Sequence, residues 1–257
     1  MSDLYVNGIS KIENLELVLF DKDGTLIDVH HYWVSMIKIR SNLIVKRWFE
    51  LHDTPRTVEA KLSDAMGVDL EVNRIKHQGP VGIKPRHFIV NLAADIVRAN
   101  SVNISNKDME ELFLEVDKRT SENLLPLLRL LPGVEMLLKQ LKDCDVSAAI
   151  VSNDITSRTK IAMNLLGIKH YFCSILGGDA VENTKPSPDL AELTMKQGTY
   201  SLEHTVVVGD HPVDIEMGLN AGITTNIGVL TGLSSQAVFD DFVCTVVKDL
   251  RAIEVRC

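Results

Sequence analysis

Asp21 and Asp23 stand two residues apart, directly after an apolar run at 15–20, in the segment Asp21-Lys22-Asp23-Gly24-Thr25. Carboxylates this close repel one another, so the pattern asks for a cation beside them. Mg²⁺ takes oxygen ligands of this kind, commonly one or two carboxylates with waters and phosphate oxygens. Asp210 ends another apolar run and offers a further carboxylate; Asp214 follows four residues later, on the first turn of the next helix. Lys185, in Asn183-Thr184-Lys185-Pro186, can neutralise developing negative charge, and Ser152 can donate a hydroxyl hydrogen bond. A carboxylate nucleophile, a second carboxylate, a magnesium site, a hydroxyl and a lysine together suit phosphoryl transfer, in which a carboxylate can become an aspartyl-phosphate. Taken singly each element is weak, because Asp-x-Asp is common in loops and a lysine in a polar loop is usually a solvated charge.

These residues need elements to hold them. Apolar runs at 15–20, 146–151 and 205–208 read as buried strands, and they end at Asp21, at Ser152-Asn153-Asp154 and at Gly209-Asp210. Residues 171–176 and 224–229 are further strand candidates. Helical stretches lie between them: one opened by Pro132-Gly133 and running to 141, one at 157–166 stopped by Gly167, and one at 188–197. This alternation predicts an α/β fold, a doubly wound parallel sheet. Ligands of such sheets bind beyond the carboxyl ends of the strands. Each polar strand end also reads as a plain turn, since Asp, Asn, Ser and Gly are turn formers.

Residues 29–128 have a different texture. Helices are expected at 31–51, from Thr54-Pro55 to Gly67, at 85–100 and at 107–124. In the first, Trp33, Ile37, Ile44 and Trp48 share one face, and Trp33, Trp48 and Phe49 read as the core of this region. The region is taken as a helical insertion after the first strand. The expected domains are therefore 1–28 with 129–257, and 29–128.

The 257 residues carry 27 Lys+Arg and 35 Asp+Glu, a formal net charge of −8, with 45% hydrophobic and 24% charged residues. The acidic excess lies outside the helical insertion. This hydrophobic content excludes general disorder, and the acidic balance speaks against broad nucleic-acid binding. No apolar run reaches the roughly 18 residues of a spanning helix, and no signal peptide is expected. Cys144, Cys173, Cys244 and Cys257 lack metal or redox spacing and read as reduced thiols, which predicts a cytoplasmic protein.

Four ordered segments carry a family resemblance. Phe20-Asp21-Lys22-Asp23-Gly24-Thr25-Leu26 resembles the first motif of the haloacid dehalogenase superfamily, and Val151-Ser152-Asn153 the second. Lys185-Pro186-Ser187-Pro188-Asp189 is similar to the third. Val208-Gly209-Asp210-His211-Pro212-Val213-Asp214, with Met217-Gly218 and Ala221-Gly222, is similar to the fourth. Gly177-Gly178-Asp179 and Gly228-Val229-Leu230-Thr231-Gly232 resemble the phosphatase branch typified by phosphoglycolate phosphatase. The resemblance implies a Rossmann-like core with an inserted helical cap. It implies that Asp21 attacks phosphorus and that Asp23 protonates the leaving oxygen, then activates water. Ser152, Asn153 and Lys185 would bind the phosphoryl group. Mg²⁺ would be held by Asp21, Asp210, the main-chain carbonyl of Asp23, and Asp214 as ligand or support. Lys22 fills a position that is often apolar in this branch and is read as a tolerated variant; His211 is read as a loop side chain near the site.

Within the superfamily, a carboxylate at the Asp23 position accompanies oxygen leaving groups, since dehalogenases and phosphonate hydrolases lack it. The long interval between Asp21 and Ser152 leaves room for a helical cap, whereas the short stretch after Asp214 leaves none for a second. By analogy such a cap closes over the site and favours small substrates. Its loop at 76–87, from Lys76 to His87, either grips a carboxylate or hydroxyls on the substrate or is simply solvated. His30 and His31 fall at the expected hinge. The expected function is a Mg²⁺-dependent phosphatase of a small phosphorylated metabolite, phosphoglycolate or a sugar phosphate. The alternatives are a phosphomutase of the β-phosphoglucomutase type and, behind it, a non-catalytic regulatory binding protein. Neither nucleic acid nor a membrane is expected as a partner, and the oligomeric state is left open.

Overall fold

A computed structural model describes residues 2–49, 55–81 and 84–257, and the chain divides into two compact units, Met1–Val29 with Leu128–Cys257, and His30–Leu127. Along the chain come strands β1 (Asp3–Val6), β2 (Ile9–Ile12) and β3 (Leu17–Phe20), then helices α1 (Val29–Trp48) and α2 (Pro55–Ala65). The short strands β4 (Val68–Asp69) and β5 (Arg74–Ile75) precede helices α3 (Arg86–Ala99) and α4 (Asn106–Glu122). There follow α5 (Val134–Asp143), β6 (Ser147–Val151), α6 (Thr156–Leu165), β7 (Phe172–Leu176), α7 (Asp189–Gly198) and β8 (Thr205–Gly209). The last elements are α8 (Pro212–Asn220), β9 (Thr225–Val229), β10 (Thr245–Val247) and β11 (Ile253–Arg256).

The first unit is built on the expected parallel sheet, six strands in the order β10-β9-β8-β3-β6-β7. All four residues of β3 are buried because both faces of the sheet are covered. Val18 and Phe20 join Leu137, Leu138 and Leu141 of α5 and Met163 of α6. Leu17 and Leu19 join Leu190 and Ala191 of α7 and Met217 of α8. A strand buried on both faces shows no polar alternation, hence the continuous apolar runs. β3 is flanked by β6 on one side and β8 on the other, so its carboxyl end is a topological switch point, where a crevice opens in folds of this kind.

A second, antiparallel sheet in this unit, of order β11-β1-β2, is absent from the expectations above. Asn7 and Gly8 close the β1–β2 hairpin with φ of 50° and 77°, the backbone that a two-residue hairpin turn requires. That Asn-Gly pair is a local signal. The pairing of β1 with β11, with Asp3 opposite Arg256, has none, because it joins opposite ends of the chain. Leu4, Val6, Ile253 and Val255 of this sheet extend the same core as Val18 and Phe20.

The expectation of four reduced thiols is corrected for two of them. Cys144, just after α5, and Cys257 form a disulfide across a sequence separation of 113, while Cys173 and Cys244 are free. β11 returns along α5, where the Val255 amide donates to Gln140 Oε1 at 3.2 Å. Tertiary packing thus brings together two cysteines whose spacing says nothing. The cysteine argument for a reducing compartment falls with this pair. No helix among the described residues is long and apolar enough to cross a membrane.

In the unit His30–Leu127, α3 packs on α4, burying Ile89, Val90, Ala93 and Val97 with Met109, Leu112, Phe113 and Val116. Ser105 caps α4: its hydroxyl accepts from the Asp108 amide, and Asp108 accepts from the Ser105 amide at 2.7 Å. Ile37, Ile44 and Phe49 are buried, whereas Trp33 and Trp48 are only partly so. Of the loop at 76–87, Lys76 pairs with Asp64 at 2.7 Å, and Arg86 pairs with Glu110 at 2.8 Å and with Asp117. Lys76 and Arg86 therefore serve the unit's own carboxylates, while Lys84 lies over the Phe88 ring. Residues 82–83 of that loop, Leu51 at the end of the first expected helix and Thr54 at the start of the second lie outside the described residues.

The disulfide closes a long loop, so Cys257→Ser should lower the unfolding free energy by about 2–4 kcal/mol. Thiol titration of the native wild type should find two reactive groups, rising to four after reduction and unfolding.

Candidate active site

Asp21, Ser152 and Asp210 each directly follow the carboxyl end of a strand, Lys185 lies in the loop between β7 and α7, and Asp214 is on the first turn of α8. The Asp21 amide donates to the Val208 carbonyl at 2.9 Å, extending the β3–β8 ladder by one residue and fixing where its carboxylate emerges. The chain then turns tightly, with the Leu26 and Ile27 amides donating to the Lys22 carbonyl at 3.0 and 2.9 Å. Gly24 lies in this turn at φ +95°, and a Cβ there would come within 2.4 Å of the Asp210 carboxylate. Only glycine serves both demands, the left-handed backbone and the close approach. The Ser152 amide donates to Leu176 at 3.1 Å, which holds the β6 end beside β7.

Lys185 is placed by its backbone. Its amide donates to Asn153 Oδ1 at 2.9 Å, and Asn153 Nδ2 donates to its carbonyl at 3.3 Å. Asn153, expected to bind phosphate, thus has both ends of its amide on Lys185. The Lys185–Pro186 bond is cis. Asp210 follows β8 directly, and Asp214 lies on the first turn of α8, where it closes a capping box by accepting from the His211 amide at 3.0 Å. His211 Nδ1 accepts from the Val213 amide at 3.3 Å, so this ring caps the helix.

The charges converge. Lys185 Nζ donates to Asp21 Oδ1 and to Asp214 Oδ1, each at 2.6 Å, with the Lys185 and Asp214 side chains almost wholly buried. Carboxylate oxygens of Asp21, Asp210 and Asp214 all lie within 4.8 Å of one another. Asp210 Oδ1 also accepts from Thr25 Oγ1 at 3.3 Å. Burial opposes the Lys185 ammonium, but Asp21 and Asp214 outweigh it and hold its pKa above the ordinary lysine value. Burial, then repulsion by Asp21 and Asp214, drives the Asp210 pKa well above the carboxylate range. Burial likewise raises Asp214, against the pull of Lys185. One ammonium among three carboxylates leaves an excess of negative charge in a poorly solvated place, and this all-oxygen donor set suits a hard divalent cation.

Not every expected residue joins this cluster. The Asp23 carboxylate is not one of the three; it pairs with Lys22 Nζ at 2.9 Å, and Lys22 also donates to Asp154 at 2.6 Å. Ser152 is buried, and its Oγ accepts from the Asp154 amide at 3.1 Å. Thr25, which braces Asp210, and Thr231, which donates to the Gly24 carbonyl at 2.5 Å, carry roles that the sequence reading did not assign. Both lie in segments quoted for their family resemblance, and that was the only signal for them.

Residues 81–227, more than half of the chain, match the family described as haloacid dehalogenase-like hydrolase. The chain belongs to the haloacid dehalogenase-like hydrolases. The matched span holds Ser152, Asn153, Lys185, Asp210 and Asp214, while the Asp21 loop precedes it. The pyrophosphatase PpaX of Oceanobacillus iheyensis is 27% identical over 212 residues, 82% of this chain and 82% of that protein. The phosphoglycolate phosphatase of Aquifex aeolicus is 29% identical over 155 residues, 60% of this chain and 73% of that protein. A solved structure from Thermotoga maritima, assigned as a β-phosphoglucomutase, is similar with a TM-score of 0.66 at 21% identity, covering 93% of this chain and 96% of its own. At that identity the likeness speaks for the fold alone. This haloacid dehalogenase-like hydrolase is an enzyme, and the two curated relatives are phosphatases.

Because the Asp210 pKa is raised in the folded state, the native protein holds a proton that the unfolded chain has already released. Its contribution to stability is therefore full below about pH 4 and is lost as pH rises through the raised value. In metal-free protein, Asp210→Asn should gain in melting temperature over the wild type between about pH 5 and about pH 8. Added Mg²⁺ should raise the melting temperature of the wild type near neutrality, by about 2.7 kcal/mol of stability at a hundredfold excess over Kd. It should leave Asp210→Asn and Gly24→Ala nearly unmoved.

Proposed function

We propose that this haloacid dehalogenase-like hydrolase is a Mg²⁺-dependent phosphatase of small phosphorylated metabolites, working through an aspartyl-phosphate. The observation that carries the reading is the gathering of Asp21, Asp210 and Asp214 within 4.8 Å, with Lys185 Nζ bonded to two of them. Asp21, Asp210, Asp214 and the main-chain carbonyl of Asp23 would hold Mg²⁺. When bound, the metal supplies positive charge that lets an anionic carboxylate and an anionic phosphate approach.

The chain's own residues then have distinct tasks. Asp21 presents a carboxylate oxygen to phosphorus, oriented by its bond to Lys185. Asp23 gives a proton to the departing oxygen and later takes one from the attacking water. Ser152 and Lys185 hold phosphoryl oxygens with donors fixed in advance, which is the main demand of phosphoryl transfer. Asn153 sets the backbone of Lys185. Selecting the substrate would fall to the helical unit His30–Leu127. Phosphoglycolate and sugar phosphates are the leading substrates. Pyrophosphate stands beside them, favoured by the match to PpaX over 82% of the chain.

Phosphate release should be measured with Mg²⁺ on 2-phosphoglycolate, hexose 1- and 6-phosphates and pyrophosphate. Asp21→Asn keeps the shape but removes the nucleophile, and should cut turnover by about three orders of magnitude or more; chelation should abolish it. Isomerisation of a hexose phosphate without phosphate release would transfer the reading to a phosphomutase. A folded, Mg²⁺-binding protein with no turnover on the panel would make it a non-catalytic binding protein.

A further inference from the structure

Lys22 occupies a position where an apolar side chain would be an ordinary buried residue. Its side chain is 5% exposed, and its ammonium has two partners, Asp154 Oδ2 at 2.6 Å and Asp23 Oδ2 at 2.9 Å. Burying an ammonium is costly unless it is paired, and a long cationic side chain without a task keeps its head in water. Asp154 is fixed in turn: its Oδ1 accepts from the Ile155 amide at 2.8 Å and from Arg158 Nη1 at 3.0 Å, at the start of α6. Side-chain exposure along this relay is 17% at Asp154, 5% at Lys22 and 47% at Asp23, so the ammonium is sealed and the carboxyl that it holds is open. Among the described residues the Asp23 carboxylate has no other ion-pair or hydrogen-bond partner, so Lys22 sets its orientation.

We infer that Lys22, anchored by Asp154, is a positioning residue that turns the Asp23 carboxyl toward the leaving oxygen and thereby fits this enzyme to aliphatic phosphate esters. The inference rests on the proposed role of Asp23 as the acid. In that step a carboxylate oxygen of Asp21 forms its bond to phosphorus as the ester P–O bond breaks. The bonding pair stays on the departing oxygen, which takes the proton of Asp23. With Oδ2 held by Lys22, Oδ1 is the oxygen that carries this proton. An aliphatic alkoxide needs the proton in order to leave, whereas p-nitrophenolate, whose charge is delocalised, leaves without it. A residue that only stabilised the fold would affect both esters alike.

The test compares kcat and KM on 2-phosphoglycolate and on p-nitrophenyl phosphate for the wild type, Asp23→Asn, Lys22→Met and Asp154→Asn, all with Mg²⁺. Lys22→Met should lose about ten- to a hundredfold in kcat on 2-phosphoglycolate, a fraction of what a general acid supplies, and much less on p-nitrophenyl phosphate. Asp154→Asn leaves Lys22 in place but weakens its anchor; it should show the same selectivity to a smaller degree, and it serves if Lys22→Met folds poorly. Should Asp23→Asn be selective while Lys22→Met and Asp154→Asn lose both activities equally, the inference is overturned and the phosphatase reading stands. A non-selective Asp23→Asn overturns the acid role itself, and the inference with it.

Discussion

A lysine ammonium sealed between two carboxylates, with a third close by, is the constraint on which the rest of this structure depends. Lys185 reaches both Asp21 and Asp214 at 2.6 Å in a place nearly closed to solvent. Removing one partner from such a buried set leaves an uncompensated charge, at a cost of about 3–5 kcal/mol. The set is also crowded, since Asp210 brings a third carboxyl, braced by the Thr25 hydroxyl, and burial and the neighbouring carboxylates drive its pKa well above the carboxylate range. The arrangement therefore makes sense as half of a complex. Its all-oxygen donors suit a hard cation, which the proposed reading supplies. Such crowding is the usual cost of a site organised in advance for charge that arrives with its ligand.

Holding that arrangement is the task of the sheet. The β3–β8 ladder runs one residue beyond Phe20 and so places Asp21 beside Gly209 and Asp210. Asn153 carries the register of β6 across to the Lys185 loop through two hydrogen bonds, and the capping box of α8 aims Asp214 back at the same point. Gly24 lets the first loop pass against the Asp210 carboxylate. At the far ends of the chain, β1 and β11 pair and Cys144 bonds to Cys257, extending the core that carries β3. The site is built on strand ends, one helix start and a loop that Asn153 pins to β6, and stiffness is what its charges need.

Much of this was legible in the sequence because the signals were local. A strand buried on both faces is a continuous apolar run, and its end is marked by the first polar residues, so hydropathy alone puts Asp21, Ser152 and Asp210 at one edge of the sheet. The boundaries moved by a residue or two at most strands, as hydrogen bonding rather than hydropathy sets the final residue. Elements with few residues left little trace. β1, β2, β10 and β11 run to only three or four residues each, too short for a period to show. Trp33 and Trp48 share a helix face with Ile37 and Ile44, yet they stay partly exposed, because helical spacing identifies a face and not how far a neighbour covers it.

The residue types at the four polar loops, their order and their resemblance to one family were in the sequence itself. From them came the sheet, the insertion and the class of chemistry. Tertiary structure alone decided which charges meet. Lys22 and Asp154 are 132 positions apart and Cys144 and Cys257 are 113 apart, and no spacing rule links either pair. Lys22 read as a tolerated variant, and only the fold shows its ammonium buried and paired; Asn153 was expected at the phosphate, and only the fold shows its side-chain amide on the Lys185 backbone. The reason is the range of the forces. Strand and turn preferences act within a few residues and are written where they act. The energy of a buried charge depends on what the whole fold brings within a few ångströms of it, so it exists only once the chain has folded.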